Sequence, residues 1–114
     1  MADIKNLDVD GQFFDCVIDW GSNSNGWYRI WRSGLIEQGG NQIDSNTYKV
    51  VYLPIPYSNI NYSVVHSEFM QNPTAENTDT EGADHNIGAT DKKVNSFRIS
   101  KASNRGISFY TRGY

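Results

Sequence analysis

Cysteine occurs once, at Cys16, so no intrachain disulfide can form and a cysteine-built zinc cluster is out of reach. Leucine occurs only at Leu7, Leu35 and Leu53, and no stretch of a dozen residues repeats apolar positions at i, i+3, i+4 and i+7. An amphipathic helix is therefore not expected. Positive charge is also short: ten Lys and Arg against thirteen Asp and Glu leave a net charge of -3. Nothing forms the basic patch that neutralises phosphates, which argues against nucleic acid as a partner. No apolar run approaches the ~20 residues that a membrane-spanning helix needs. The opening Met1-Ala2-Asp3-Ile4-Lys5-Asn6 lacks the apolar stretch of a signal peptide, so membrane insertion is not expected either.

What the sequence has is aromatic rings and turn residues. Aromatics make up 13% of 114 residues, with seven Tyr and three Trp, and Asn, Ser and Gly punctuate the chain at short intervals. Such punctuation favours turns over helix interiors. Short β-rich runs between turn signals predict an all-β fold, an antiparallel β-sandwich, and the length allows one domain. Residues 1–11 read as a linker or shaft remnant and 12–114 as the sandwich.

The expected strands are 13–18, 27–31, 35–40, 48–53, 62–69, 96–100 and 107–112. Gly21-Ser22-Asn23-Ser24-Asn25-Gly26 reads as a turn after the first. Arg32-Ser33-Gly34 joins Trp27-Tyr28-Arg29-Ile30-Trp31 to Leu35-Ile36-Glu37-Gln38-Gly39-Gly40 as a hairpin. Pro54 and Pro56 stop the strand that ends at Leu53, because proline cannot donate to a ladder. Residues 70–93 break the pattern and read as a long polar loop, which in a compact domain is often functional.

No catalytic motif is evident: no Gly-x-Ser-x-Gly elbow, phosphate-cradling glycine loop or His-Glu-x-x-His. Glu37, Glu68, Glu76 and Glu81 single out no pair for glycoside cleavage by their spacing, so the expectation is a protein that is not an enzyme. No cofactor is implied. A lone His beside one Asp gives too few ligands for a metal, so none is expected. His66 sits mid-strand and reads as a polar group on an exposed face or a subunit contact. Cys16 lies in an apolar run and reads as a small buried hydrophobe.

Binding is the remaining chemistry. Period two puts Trp27, Arg29 and Trp31 on one strand face and Tyr28 and Ile30 on the other. The first reading gives one face to the core and the other to a neighbouring chain; the second makes a sugar-stacking platform of the rings. In the closing run, Tyr110 and Arg112 share the face opposite Phe109 and Thr111, and both residue types are enriched in binding hot spots. Asp84 and His85 in the long loop could orient a polar ligand. The candidate receptor-binding residues are thus Asp84, His85, Tyr110 and Arg112.

Three segments carry a resemblance. Asn25 to Gly40, with its aromatic strand, Ser33-Gly34 turn and Gln38-Gly39-Gly40 strand, resembles the opening of C-terminal domains of bacteriophage and prophage tail fibres. Val51 to Val64 resembles that group's strand, proline, aromatic and Asn-x-x-Tyr-x-Val element, and Ser108 to Tyr114 resembles its closing aromatic strand. The sequence departs in having Gly39-Gly40 where many relatives carry Trp-Gly, and Arg112 where a small residue is common. It lacks His-x-His pairs, so no metal carries over. The resemblance implies a homotrimeric β-sandwich at the distal tip of a virion's tail fibre, binding a host cell-surface glycan or outer-membrane protein. Its rivals are a structural domain that trimerises and caps the fibre, and a glycan-cleaving tip enzyme.

Overall fold

The computed structural model describes residues 14–43, 47–70, 88–101 and 105–114. The candidate residues Asp84 and His85, with most of the 70–93 segment and residues 1–13, lie outside them. Among the described residues eight strands run in order: β1 (Val17–Asn23), β2 (Gly26–Trp31), β3 (Ile36–Ile43), β4 (Tyr48–Tyr52), β5 (Ser63–Met70), β6 (Thr90–Lys93), β7 (Ser96–Ser100) and β8 (Arg105–Gly113). They form a five-stranded sheet in the order β1-β2-β3-β8-β5 and a three-stranded sheet in the order β4-β7-β6. Every pairing is antiparallel. The expected all-β sandwich is what the chain forms, and no helix among the described residues is long and apolar enough to cross a membrane.

The β2–β3 hairpin pairs Ile30 with Ile36 and Arg29 with Glu37. Its turn closes with hydrogen bonds from Gly34 N to Trp31 O (2.9 Å) and from Trp31 N to Leu35 O (2.8 Å). Gly34 takes φ 94° there, a conformation that side-chain-bearing residues resist. Asp15 clamps the turn from outside, accepting from Ser33 N at 3.1 Å and Ser33 Oγ at 2.9 Å.

Three expectations need correcting here. The first strand is not 13–18: it begins at Val17 and continues through Gly21-Ser22-Asn23, leaving only Ser24 and Asn25 as the turn. Backbone pairing with β2 overrides the turn preference of those residues, and Asn23 and Gly26 close the ladder as partners. The polar 70–93 segment is not loop to its end, because Thr90-Asp91-Lys92-Lys93 pairs with β7 across a register shift, with Asp91 at φ 48°. Cys16 is half-buried rather than buried.

The core lies between the sheets. Val51, Phe97 and Ile99 from the smaller sheet meet Ile107 and Phe109 of β8, with Leu53, Tyr57 and Tyr62 from the connecting segments. Phe97 and Phe109 meet edge to face, with ring centroids 5.9 Å apart, a geometry that aromatic quadrupoles favour. Tyr57 and Tyr62 stack at 4.5 Å. The Tyr62 hydroxyl lies 2.6 Å from Lys93 O and 2.9 Å from Ser96 O, which pins the β6–β7 turn to the core. Burial and the neighbouring Tyr57 push this phenol up to about 12. β8, the last strand, sits inside the large sheet between β3 and β5.

Candidate binding face

With the small sheet covering one side, the opposite side of the five-stranded sheet faces outward. Alternation along each strand decides what it shows, and the pairings set these residues in rows. One row runs Trp20, Arg29, Glu37, Arg112 and Ser63, and the next runs Ser22, Trp27, Gly39, Tyr110 and Val65. The expected sharing of a face by Trp27, Arg29 and Trp31 holds, and so does that of Tyr110 with Arg112. Their neighbours Phe109 and Thr111 are buried on the inner side.

Glu37 organises the centre of this face. It is only 7% exposed, yet it is ionised and fully partnered. Arg29 Nε donates to Oε1 at 2.7 Å and Nη2 to Oε2 at 3.3 Å, a two-pronged contact. The Trp31 indole N–H donates to Oε1, and the Tyr110 hydroxyl to Oε2. The hydrogen bonds from Arg29, reinforced by those of Tyr110 and Trp31, hold this carboxyl down to about 2 against the desolvation that would raise it. Partial burial and the Glu37 charge raise the Tyr110 phenol, so it stays a donor. One carboxylate on β3 thereby fixes two rings and a guanidinium from the two strands that flank it, β2 and β8.

The rings themselves remain accessible. The Arg29 guanidinium lies 5.5 Å from the Trp27 ring centroid and 5.8 Å from that of Trp31, sandwiched along the strand. Trp27 leans towards Tyr110 at 6.4 Å. Its indole is seated on Gly39, where an added Cβ would lie 2.7 Å from the ring and 2.9 Å from Phe109 O. Gly39→Ala is expected to lift the indole and to cost about 1 kcal/mol of stability through overpacking. A shift in the tryptophan emission maximum would record the displaced ring, and an unchanged spectrum would count against this seat. Trp20, on the edge strand β1, is 66% exposed.

Of the four sequence candidates, Tyr110 and Arg112 lie on this face. His66 does not: it is half-buried on the inner side of β5, opposite Phe109, and not on an exposed face. Two residues of the face escaped the sequence reading. Trp20 was hidden by the misplaced first strand. Glu37 was readable, since the hairpin register sets it opposite Arg29. Among the described residues, no three His, Cys, Asp or Glu side chains gather to hold a metal.

At one end of the face Leu35, Asn61, Ser63, Arg112, Gly113 and Tyr114 line an open hollow of about 370 Å³. The surface as built is one of stacking and hydrogen bonding: flat rings with fixed orientation, one anchored ion pair, and a concavity beside it.

No curated protein and no solved structure matches the chain. Residues 29–114 match the family model described as "Putative tail fiber protein gp53-like, C-terminal", an extent that takes in β3 to β8 and the Arg29–Glu37 pair. That match covers well over half of the sequence, and with the all-β sandwich beneath it the chain belongs to the gp53-like family of tail-fibre C-terminal domains.

Proposed function

We propose that this domain is the receptor-binding tip of a phage tail fibre, acting as a homotrimer that grips a host cell-surface glycan or outer-membrane protein reversibly, without catalysis. The supporting observation is the outward face on which Glu37 holds Trp31, Tyr110 and Arg29 in place, with Trp27 and Trp20 beside them. Indole and phenol rings offer apolar planes with polar edges, and stacking on rings fixed in advance loses little side-chain entropy on binding. Three such faces on one rigid tip give avidity without any tight single contact.

A second reading has its own support. Val65 (66% exposed) and Ile43 (62%) stand on the same outward face, and aliphatic side chains at such exposure suit packing against another copy. On that reading the domain trimerises and caps the fibre.

Light scattering and competition separate the two. The expected result is a mass near three times 12.9 kDa and a trimer that blocks attachment of the intact particle to its host cells. A trimer that fails to compete assigns the domain to capping. A monomer overturns the trimeric proposal.

A further inference from the structure

Among the described residues, Arg112 is a cation of the outward face that the Glu37 network leaves out. The two stand opposite each other on paired strands, yet each carboxylate oxygen of Glu37 already accepts twice, from Arg29 and Trp31 and from Arg29 and Tyr110. A carboxylate offers about four acceptor sites, so Glu37 has none to give. Among the described residues Arg112 has no hydrogen-bond acceptor or ion-pair partner. Its side chain is exposed and lines the 370 Å³ hollow.

The rest of the hollow has a definite chemistry. Asn61 and Ser63 supply neutral donors and acceptors on one side. Leu35 and Tyr114 supply apolar surface on the other. A main-chain terminal oxygen of Tyr114 accepts from Ser58 N at 2.9 Å and from Ser58 Oγ at 2.8 Å, which fixes the residue while its side chain stays open to solvent. A guanidinium fork matches a carboxylate in two-pronged fashion, hydroxyl and amide groups match sugar hydroxyls, and an aromatic ring matches the C–H face of a pyranose. The volume lies within the ~300–1,000 Å³ of small-molecule sites.

We infer that this hollow is a subsite for a carboxylated sugar unit of a surface polysaccharide, with Arg112 taking the carboxylate and Asn61 and Ser63 the ring hydroxyls. The inference rests on the receptor-binding reading and narrows it to acidic glycans.

The test uses the intact domain and glucuronate, with glucose and inorganic phosphate as comparisons, followed by the NMR shift of the Asn61 side-chain amide. Glucuronate is expected to bind at least tenfold more tightly than glucose. Arg112→Gln should remove that preference, Arg112→Lys should restore part of it, and both variants should keep the wild-type urea midpoint. Equal binding of glucuronate and glucose, or a preference that survives Arg112→Gln, overturns the inference. Phosphate that competes as well as glucuronate overturns it too, by making the hollow a general anion site. Cell adhesion tells this failure from failure of the parent reading. If wild-type and Arg112→Gln domains adhere equally to host cells, the tip reading stands and the acidic subsite falls. If neither adheres while glucuronate still binds through Arg112, the subsite stands and the tip reading falls.

Discussion

Replacing Gln38 by Leu is expected to lower the unfolding free energy by about 3 kcal/mol, the largest single effect we foresee in this domain. Gln38 is fully buried in β3, and its side-chain amide mimics a strand. Nε2 donates to Ile55 O at 2.9 Å and Oε1 accepts from Ile55 N at 2.9 Å. Ile55 lies between Pro54 and Pro56, which have no N–H, so this segment cannot join a ladder as ordinary backbone. Leucine fills a similar volume but leaves a partly buried N–H and C=O unpaired, each costing about 1–3 kcal/mol. For a urea slope of about 1.5 kcal/mol per M, the midpoint should drop by about 2 M, compared at one protein concentration. Gln42 makes a parallel contact to Tyr52 and also donates to Asn25 O at 3.0 Å. Tyr52 is exposed and water can replace that partner, so Gln42→Leu should cost less than about 1 kcal/mol. Equal losses in the two variants would mean that hydrogen bonding to Ile55 is not what Gln38 contributes.

The contrast between these two glutamines shows what could be read from the chain and what could not. Alternation and turn length are local, and they carried the all-β class, the β2–β3 hairpin, the limits of β7 and the partition of Tyr110 and Arg112 from Phe109 and Thr111. The pairing of Arg29 with Glu37 was legible in the same way, once the hairpin's register is counted out from its turn. Gln38 was not legible, because its role depends on a segment seventeen positions away that two prolines keep out of the sheet. Nothing in a lone Gln announces a buried strut. β6 failed for a related reason: Thr90-Asp91-Lys92-Lys93 has no apolar alternation, and it becomes a strand through backbone pairing with β7. The exposed face of Trp20 followed from β1 pairing that local turn preferences contradict. Sequence periodicity thus reports which residues share a face, while the face's function depends on which strands become neighbours. β8 enters between β3 and β5, and only that placement brings Tyr110 onto Glu37 and Arg112 beside its filled carboxylate.

The same carboxylate makes stability depend on acid. Its folded-state value of about 2 lies below the ordinary 4.5, so ionised Glu37 favours the folded state above that ordinary value. The contribution fades as pH falls from about 4.5 towards 2, where the folded protein must also take up the proton. The full difference would correspond to about 3 kcal/mol at 1.36 kcal/mol for each unit of pKa. Arg29 is 44% exposed, and solvent screening at that end leaves about 1–2 kcal/mol. Glu37→Gln keeps the shape but not the charge. At pH 7 it should cost about 2 kcal/mol, because Arg29, the Trp31 N–H and the Tyr110 hydroxyl lose a charged acceptor. Between pH 5 and pH 2.5 the wild-type urea midpoint should fall more steeply than the variant's, and the two should converge at the acid end. The other carboxylates are common to both proteins, so the difference between the two profiles isolates Glu37. Parallel profiles would sink the assignment of this depressed value to the folded state. Steeper loss in the wild type, together with weakened adhesion of Glu37→Gln at pH 7, would tie the buried charge to the fixed orientation of the rings that the proposed receptor meets.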